Sequence, residues 1–121
     1  MMNVFNIKLL VATLLREIKD FKTVSTDYPS KWDETPVAIY RTSSTPHFVD
    51  AHNNELQTKW RVTIEVYGNQ SLASLVKKVE GRFEREGISL KRKDSNTAVL
   101  KRVVLNADFI VDNTIKVIYD K

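Results

Sequence analysis

The chain has 121 residues, 42% of them hydrophobic and 28% charged, and contains no cysteine. That suits one folded domain with a single core between two layers and argues against disorder. The missing cysteines exclude disulfides, thiolate catalysis, zinc fingers and iron–sulfur clusters.

The net charge of +4 is unevenly placed. Residues 1–60 hold seven basic and seven acidic side chains, and residues 61–121 hold twelve and eight. Residues 91–102 alone hold five basic groups against Asp94, so the chain has one basic place rather than a basic character throughout.

In chain order, "NIKLLVATLLREIKD" comes first. Its apolar run is broken by Thr13, is flanked by Lys8, Arg16, Glu17, Lys19 and Asp20, and is followed by no small-residue cleavage site. It is too short and too charged to span a bilayer or act as a signal peptide. Val4, Ile7, Val11, Leu14, Ile18 and Phe21 step by three or four, and Leu10 and Leu15 widen the stripe. This spacing predicts an amphipathic helix over 3–21.

Residues 22–36 are rich in turn formers, with Val24 in a very short strand. Tyr28 and Trp32 are large groups in this polar loop, placed to pin it to the body or to meet a partner. "VAIYRTS", from Val37, reads as a strand. The polar segment "STPHFVDAHNNELQ" after it has no clear period and reads as a long loop, of a length that is often functional.

"KWRVTIEVYGN", from Lys59, is the clearest strand. Trp60, Val62, Ile64 and Val66 face one way, and Arg61, Thr63, Glu65 and Tyr67 face the other. One core face and one wet or interfacial face point to an antiparallel sheet. A second helix is predicted over 71–86, with Leu72, Leu75, Val76, Val79 and Phe83 as its stripe. Lys77 with Glu80 and Arg82 with Glu86 are spaced for surface pairs, Gly81 weakens the middle, and Gly87 suits the C-terminal cap.

Three strand segments follow: "ISLKRK" from Ile88, "AVLKRVVL" from Ala98, and the hairpin "DFIVDNTIKVIYD" turning at Asp112 and Asn113. The last strand sets Ile115, Val117 and Tyr119 on one side. The expected fold is a single α+β domain over 1–121. Two helices pack on one face of a mostly antiparallel sheet, in the order α-β-β-α-β-β-β.

Catalytic chemistry finds little footing. His47, Asp50 and His52 could ligate a metal by type, with Glu55 near, but in an extended segment His47 points away from the other two. A polar loop explains them better. No G-x-S-x-G elbow supplies a nucleophile. "VYGNQSLASL" joins a strand to a helix with one glycine, where phosphate loops need more. Glu65 has no second acid placed beside it, so no acid–base pair emerges. The expectation is no enzyme and no cofactor.

The basic segment holds Lys91, Arg92, Lys93, Lys101 and Arg102. Lys91 and Lys93 share a face opposite to Arg92, and Lys101 faces away from Arg102. No aromatic residue lies between 88 and 105 to stack on bases. The segment is either a solvated hairpin tip or a non-specific electrostatic patch for nucleic acid.

The order of these features resembles the tail-terminator, or tail-completion, proteins of long non-contractile-tailed bacteriophages and prophages. The likeness lies in the N-terminal amphipathic helix, in "TPVAIYRTSSTP" with its polar continuation, in "LQTKWRVTIEVYGNQSLASLVKKVEGRFEREGI", and in the closing "RVVLNADFIVDNTIKVIY". It spans about residues 35–119. Such proteins form a ring, usually a hexamer, on the head-proximal end of the tail tube. They meet the tail-tube protein and the head–tail connector, let genomic DNA pass without sequence specificity, and have no enzymatic activity or cofactor. The resemblance implies a place in the virion neck after assembly in the bacterial cytoplasm, with no membrane contact.

It assigns no site residues. The physics of closed rings asks for two different patches per subunit. The 42–57 loop with His47, Asp50 and His52 is one candidate, and the outward strand face, Arg61, Thr63, Glu65 and Tyr67, is the other. The rival expectations are a small basic nucleic-acid-binding module using 91–102, another neck or head-completion protein, and, more distantly, a metal enzyme or hydrolase built on His47, Asp50 and His52.

Overall fold

The first apolar stripe does wind into a helix, α1 (Ile7–Glu17), in a computed structural model that describes residues 6–32, 34–97 and 100–120. It is shorter than the 3–21 period suggests, and Val4 lies outside the described residues. Asn6 caps its start, its side-chain oxygen accepting the Leu9 N–H at 3.0 Å. Ile18 leaves helical geometry and its N–H turns back to the Leu15 carbonyl. The chain then bends so that Phe21 still reaches the core.

The sheet has six strands: β1 (Thr23–Ser25), β2 (Val37–Val49), β3 (Glu55–Gly68), β4 (Lys91–Asp94), β5 (Lys101–Asp112) and β6 (Val117–Asp120). Their order is β1-β2-β3-β5-β4, with β6 also pairing β5. β4 lies beside residues 103–106 of β5 and β6 beside residues 109–112, so the two short strands share one flank. Among the described residues the β1–β2 pair is the parallel one and the others are antiparallel. This is the expected α+β fold and element order, with the three-residue β1 at Val24 preceding the two long strands.

The expected long loop over 42–57 is not a loop. β2 runs to Val49 and β3 begins at Glu55, leaving residues 50–54 as the connection. Beyond Tyr40, β2 is mostly exposed on both faces, so burial imposes no alternation there. Backbone pairing with β3 holds the strand extended, and that leaves no trace in the apolar pattern. β4 and β5 also differ from expectation. Ile88 is buried but lies ahead of β4, and β5 starts at Lys101, while Ala98 and Val99 lie outside the described residues.

The second helix, α2 (Ala73–Glu84), buries Leu75, Val76, Val79 and Phe83. With α1 it covers the sheet face formed by Trp60, Val62, Ile64 and Val66 of β3 and Val103, Leu105, Ala107, Phe109 and Val111 of β5. Fully burying a side chain of this size is worth about 1.5–3 kcal/mol relative to leaving it exposed, so this layer dominates stability. Gly87, at φ +85, ends the helical run in the left-handed region, and the Ile88 N–H returns to the Phe83 carbonyl at 3.0 Å. Arg82 joins the two helices, meeting Glu17 at 2.9 Å and Glu86 at 2.8 Å. Glu80 pairs with Arg92 across the element boundary.

Gly68 explains the strand–helix junction that superficially suggests a phosphate loop. A Cβ at this position would lie 2.7 Å from Leu72 Cδ2. The glycine is there for close packing of the first apolar residue of the helical stripe.

Candidate functional site

The face of the sheet away from the helices divides into two halves with different chemistry. At one end the chain between β1 and β2 folds across the sheet and brings Tyr28 and Trp32 against Tyr67. Ring centroids lie 4.6 Å apart for Trp32–Tyr67 and 6.2 Å for Tyr28–Tyr67. Val37 and Ile39 complete this small second core, with Trp32 and Leu100 packed on it. The two large aromatics in a polar loop therefore pin it to the body.

Glu65 sits beneath them with 3% of its side chain exposed. Its Oε2 accepts from Arg41 Nη1 at 3.0 Å and from the Tyr28 hydroxyl at 2.9 Å. Its Oε1 accepts from Arg102 Nε at 3.0 Å, from a second Arg102 nitrogen, and from the Tyr67 hydroxyl at 3.2 Å. The register explains the convergence: Glu65 lies opposite Ile39 on β2 and Val104 on β5, and the two arginines reach in from two residues along each neighbour. Arg41 lies over the Tyr28 ring at 5.1 Å and Arg102 over the Tyr67 ring at 5.7 Å.

Burial alone would raise the Glu65 pKa. The hydrogen bonds from Arg102 and Tyr28, with the Arg102 charge, outweigh it and hold the carboxyl below its ordinary value. Tyr67 is pushed up to about 12, first by burial, then by its hydrogen-bonding to Tyr28 and the Glu65 charge. A charged carboxylate beside a neutral phenol is thus the stable state across the neutral range. The cluster is a clasp that fixes the loop to the sheet.

This corrects two of the expected interface residues. Glu65 and Tyr67 face away from the helices, but both are buried inside the chain because the Tyr28–Trp32 loop covers them. The signal available in sequence was the pair of aromatics in the loop; what spacing could not show was which strand they cover. Arg61 and Thr63, further along β3, remain on the surface, Arg61 paired with Asp108 at 2.8 Å and the Thr63 hydroxyl 3.0 Å from Asn106.

The other expected residues separate. His47 is exposed on β2, between the two residues where the register shifts. Asp50 organises the hairpin turn, accepting the N–H groups of His52 at 2.8 Å and Asn54 at 2.9 Å and the Asn54 side-chain amide at 3.2 Å. Those bonds, the Asn54 N–H first, lower its pKa. His52 is exposed in the turn, and Glu55 accepts from the Thr58 hydroxyl. Among the described residues no three His, Cys, Asp or Glu side chains gather to hold a metal ion, and no helix is long and apolar enough to cross a membrane.

The basic segment is similarly divided. Arg92 is tied to Glu80 on α2, and Arg102 to Glu65 and Ser95. Lys91, Lys93 and Lys101 stay exposed. Lys91 and Lys93 lie on the outer face beside Asn106 and Val104, while Lys101 shares the helix-side parity of Val103.

Over the far half of the outer face no loop lies among the described residues. Phe48, Val49, Ile115, Val117 and Tyr119 are all exposed there, at 38–59% of their surfaces. Phe48 and Val49 end β2, Val117 and Tyr119 lie on β6, and Ile115 is in the turn between β5 and β6. This apolar display is the feature most suited to recognition. No protein-family model matches the chain, and no curated protein is similar to it.

Proposed function

We propose that the chain is a non-enzymatic virion assembly protein of the tail-terminator kind. It forms a ring, of about six copies by the family's habit, that caps the tail tube and joins it to the head connector of a phage or prophage. The observation that carries the reading is the set of five exposed apolar residues divided between the two flanks of the sheet. A closed ring requires two different, mutually complementary patches on each subunit, and the two flanks supply one apolar display each. The resemblance over residues 35–119 supplies the identity of the assembly. On this reading Lys91, Lys93 and Lys101 are the groups left to meet passing genomic DNA or an acidic partner, without sequence readout.

Light scattering on the eluting protein, over a range of concentrations with and without tail-tube protein, tests it. A discrete closed oligomer is expected in at least the second condition. A monomer throughout would count against the ring.

A further inference from the structure

We propose that the ring contact is edge to edge: β6 of one copy lies antiparallel against the outer edge of β2 of the next. The proposal rests on the ring reading above and names its two patches.

β1 covers β2 only at residues 37–39, so residues 40–49 have β3 on one side and no strand on the other among the described residues. Residues 42–49, "TSSTPHFV", contain no charged side chain. Natural edges are usually guarded by charges, prolines or bulges. Here Pro46 and the register shifts after it are the interruption of the edge, and they fall within residues 44–48, the stretch level with β6; residues 42–45 ahead of Pro46 are in regular register. On the opposite flank, β6 pairs β5 and has no strand on its other side among the described residues.

The directions of the strands fit. β3 runs opposite to β2, β5 opposite to β3, and β6 opposite to β5. β6 is therefore antiparallel to β2, and a second copy brought alongside without being turned over presents an antiparallel edge. The levels fit as well. Thr45, Lys59, Ile110 and Tyr119 form one row across β2, β3, β5 and β6, and Phe48, Gln57, Asp112 and Val117 form another. An edge contact without shear sets Tyr119 beside Thr45 and Val117 beside Phe48, with Ile115 in the turn that leads into β6. The exposed apolar groups of one flank thus meet those of the other. Because the two edges differ, the contact is head-to-tail, the kind from which a ring is built when the rotation per subunit closes.

The chain has no cysteine, so single introduced thiols are unique. Size-tagged Thr45→Cys protein is mixed with untagged Tyr119→Cys protein, with tail-tube protein present, and treated with a short bis-maleimide. Both positions are exposed, so the fold is not at stake. The expected product is the mixed dimer, in several-fold excess over either homodimer. A predominance of Thr45–Thr45 or Tyr119–Tyr119 dimers means a two-fold edge contact and overturns the proposal. No cross-link in a sample that light scattering shows to be oligomeric overturns the edge assignment and leaves the ring reading standing. No cross-link in a sample that stays monomeric overturns both.

Discussion

Replacing Glu65 by Gln should destabilise the domain by about 2 kcal/mol, a figure built from its separate contacts. On the Oε1 side, Arg102 is 28% exposed and makes charge-assisted bonds to a carboxylate that is 3% exposed. Such bonds are worth about 1.5–3 kcal/mol, and a neutral amide oxygen in the same place keeps about half. On the Oε2 side the amide N–H₂ would confront the Arg41 donor. Arg41 is 51% exposed and can turn to water, so only the worth of an exposed pair, about 0.5–1 kcal/mol, is lost there. Tyr28 can rotate its hydroxyl to accept.

Urea unfolding at fixed protein concentration measures the loss. Arg41→Gln is the control and should cost less than about 1 kcal/mol. Glu65→Ala should cost more than Glu65→Gln, toward the ~3–5 kcal/mol typical of breaking a buried pair. A double-mutant cycle of Glu65→Gln with Arg102→Gln should show coupling of about 1 kcal/mol or more. If Glu65→Gln is neutral, or costs no more than Arg41→Gln, the clasp does not hold the loop and the reasoning is wrong.

The same group sets an acid limb. Its folded pKa lies below the unfolded value of about 4.3, so its stabilisation is complete above that value and lost as pH falls through the folded pKa. Glu65→Gln should flatten that limb. Tyr67 acts at the other extreme: its neutral form stabilises the fold below pH about 10, and this is lost as pH rises toward 12.

Three further outcomes are expected. Gly81→Ala should stabilise the domain by about 0.5–1 kcal/mol in the same unfolding assay, because Gly81 is inside α2 and an added Cβ meets nothing within 4 Å. Asp50→Ala removes the acceptor for three turn donors and should speed proteolysis at residues 50–54, leaving the unfolding free energy from urea titration within about 1 kcal/mol of wild type. Reversing Lys91, Lys93 and Lys101 to Glu should leave folding intact and impair head–tail joining or DNA passage; unchanged assembly and infectivity would make these lysines an ordinary solvated surface.

What the sequence discloses here follows burial. Trp60, Val62, Ile64 and Val66 alternate because helices cover one side of β3, and the stripe from Leu72 to Phe83 has a helical period because α2 lies on that layer. Residues 44–49 were opaque because neither face of that part of β2 is covered. Threonine, proline, histidine and phenylalanine in succession look the same in an exposed strand as in a loop. Glu65 was opaque for the opposite reason: it alternates like a surface residue, and only a segment about forty positions earlier makes it a buried one. The five basic residues fall on two strand faces, and two of them, Arg92 and Arg102, take acidic partners from other elements, Glu80 and Glu65, which spacing along the chain does not show.

The uneven cover of the sheet also separates what folding requires from what assembly requires. Residues 37–39 lie between β1 and β3 and under the aromatic loop, so their amides should be protected from hydrogen exchange in the isolated chain. Among the described residues, 40–49 have a strand on one side only, and in an antiparallel edge strand alternate N–H groups point outward. Those outward amides should exchange rapidly in the monomer and slow by an order of magnitude or more once a neighbouring edge pairs with them. The inner amides of β3 at the same level, flanked by both β2 and β5, should change little. Exchange read by mass spectrometry on monomer and assembly distinguishes the cases. Slowing confined to residues 40–49 and the β6 region identifies the two edges as the contact. Equal exchange at residues 40–49 in both states removes the β2 edge from the interface.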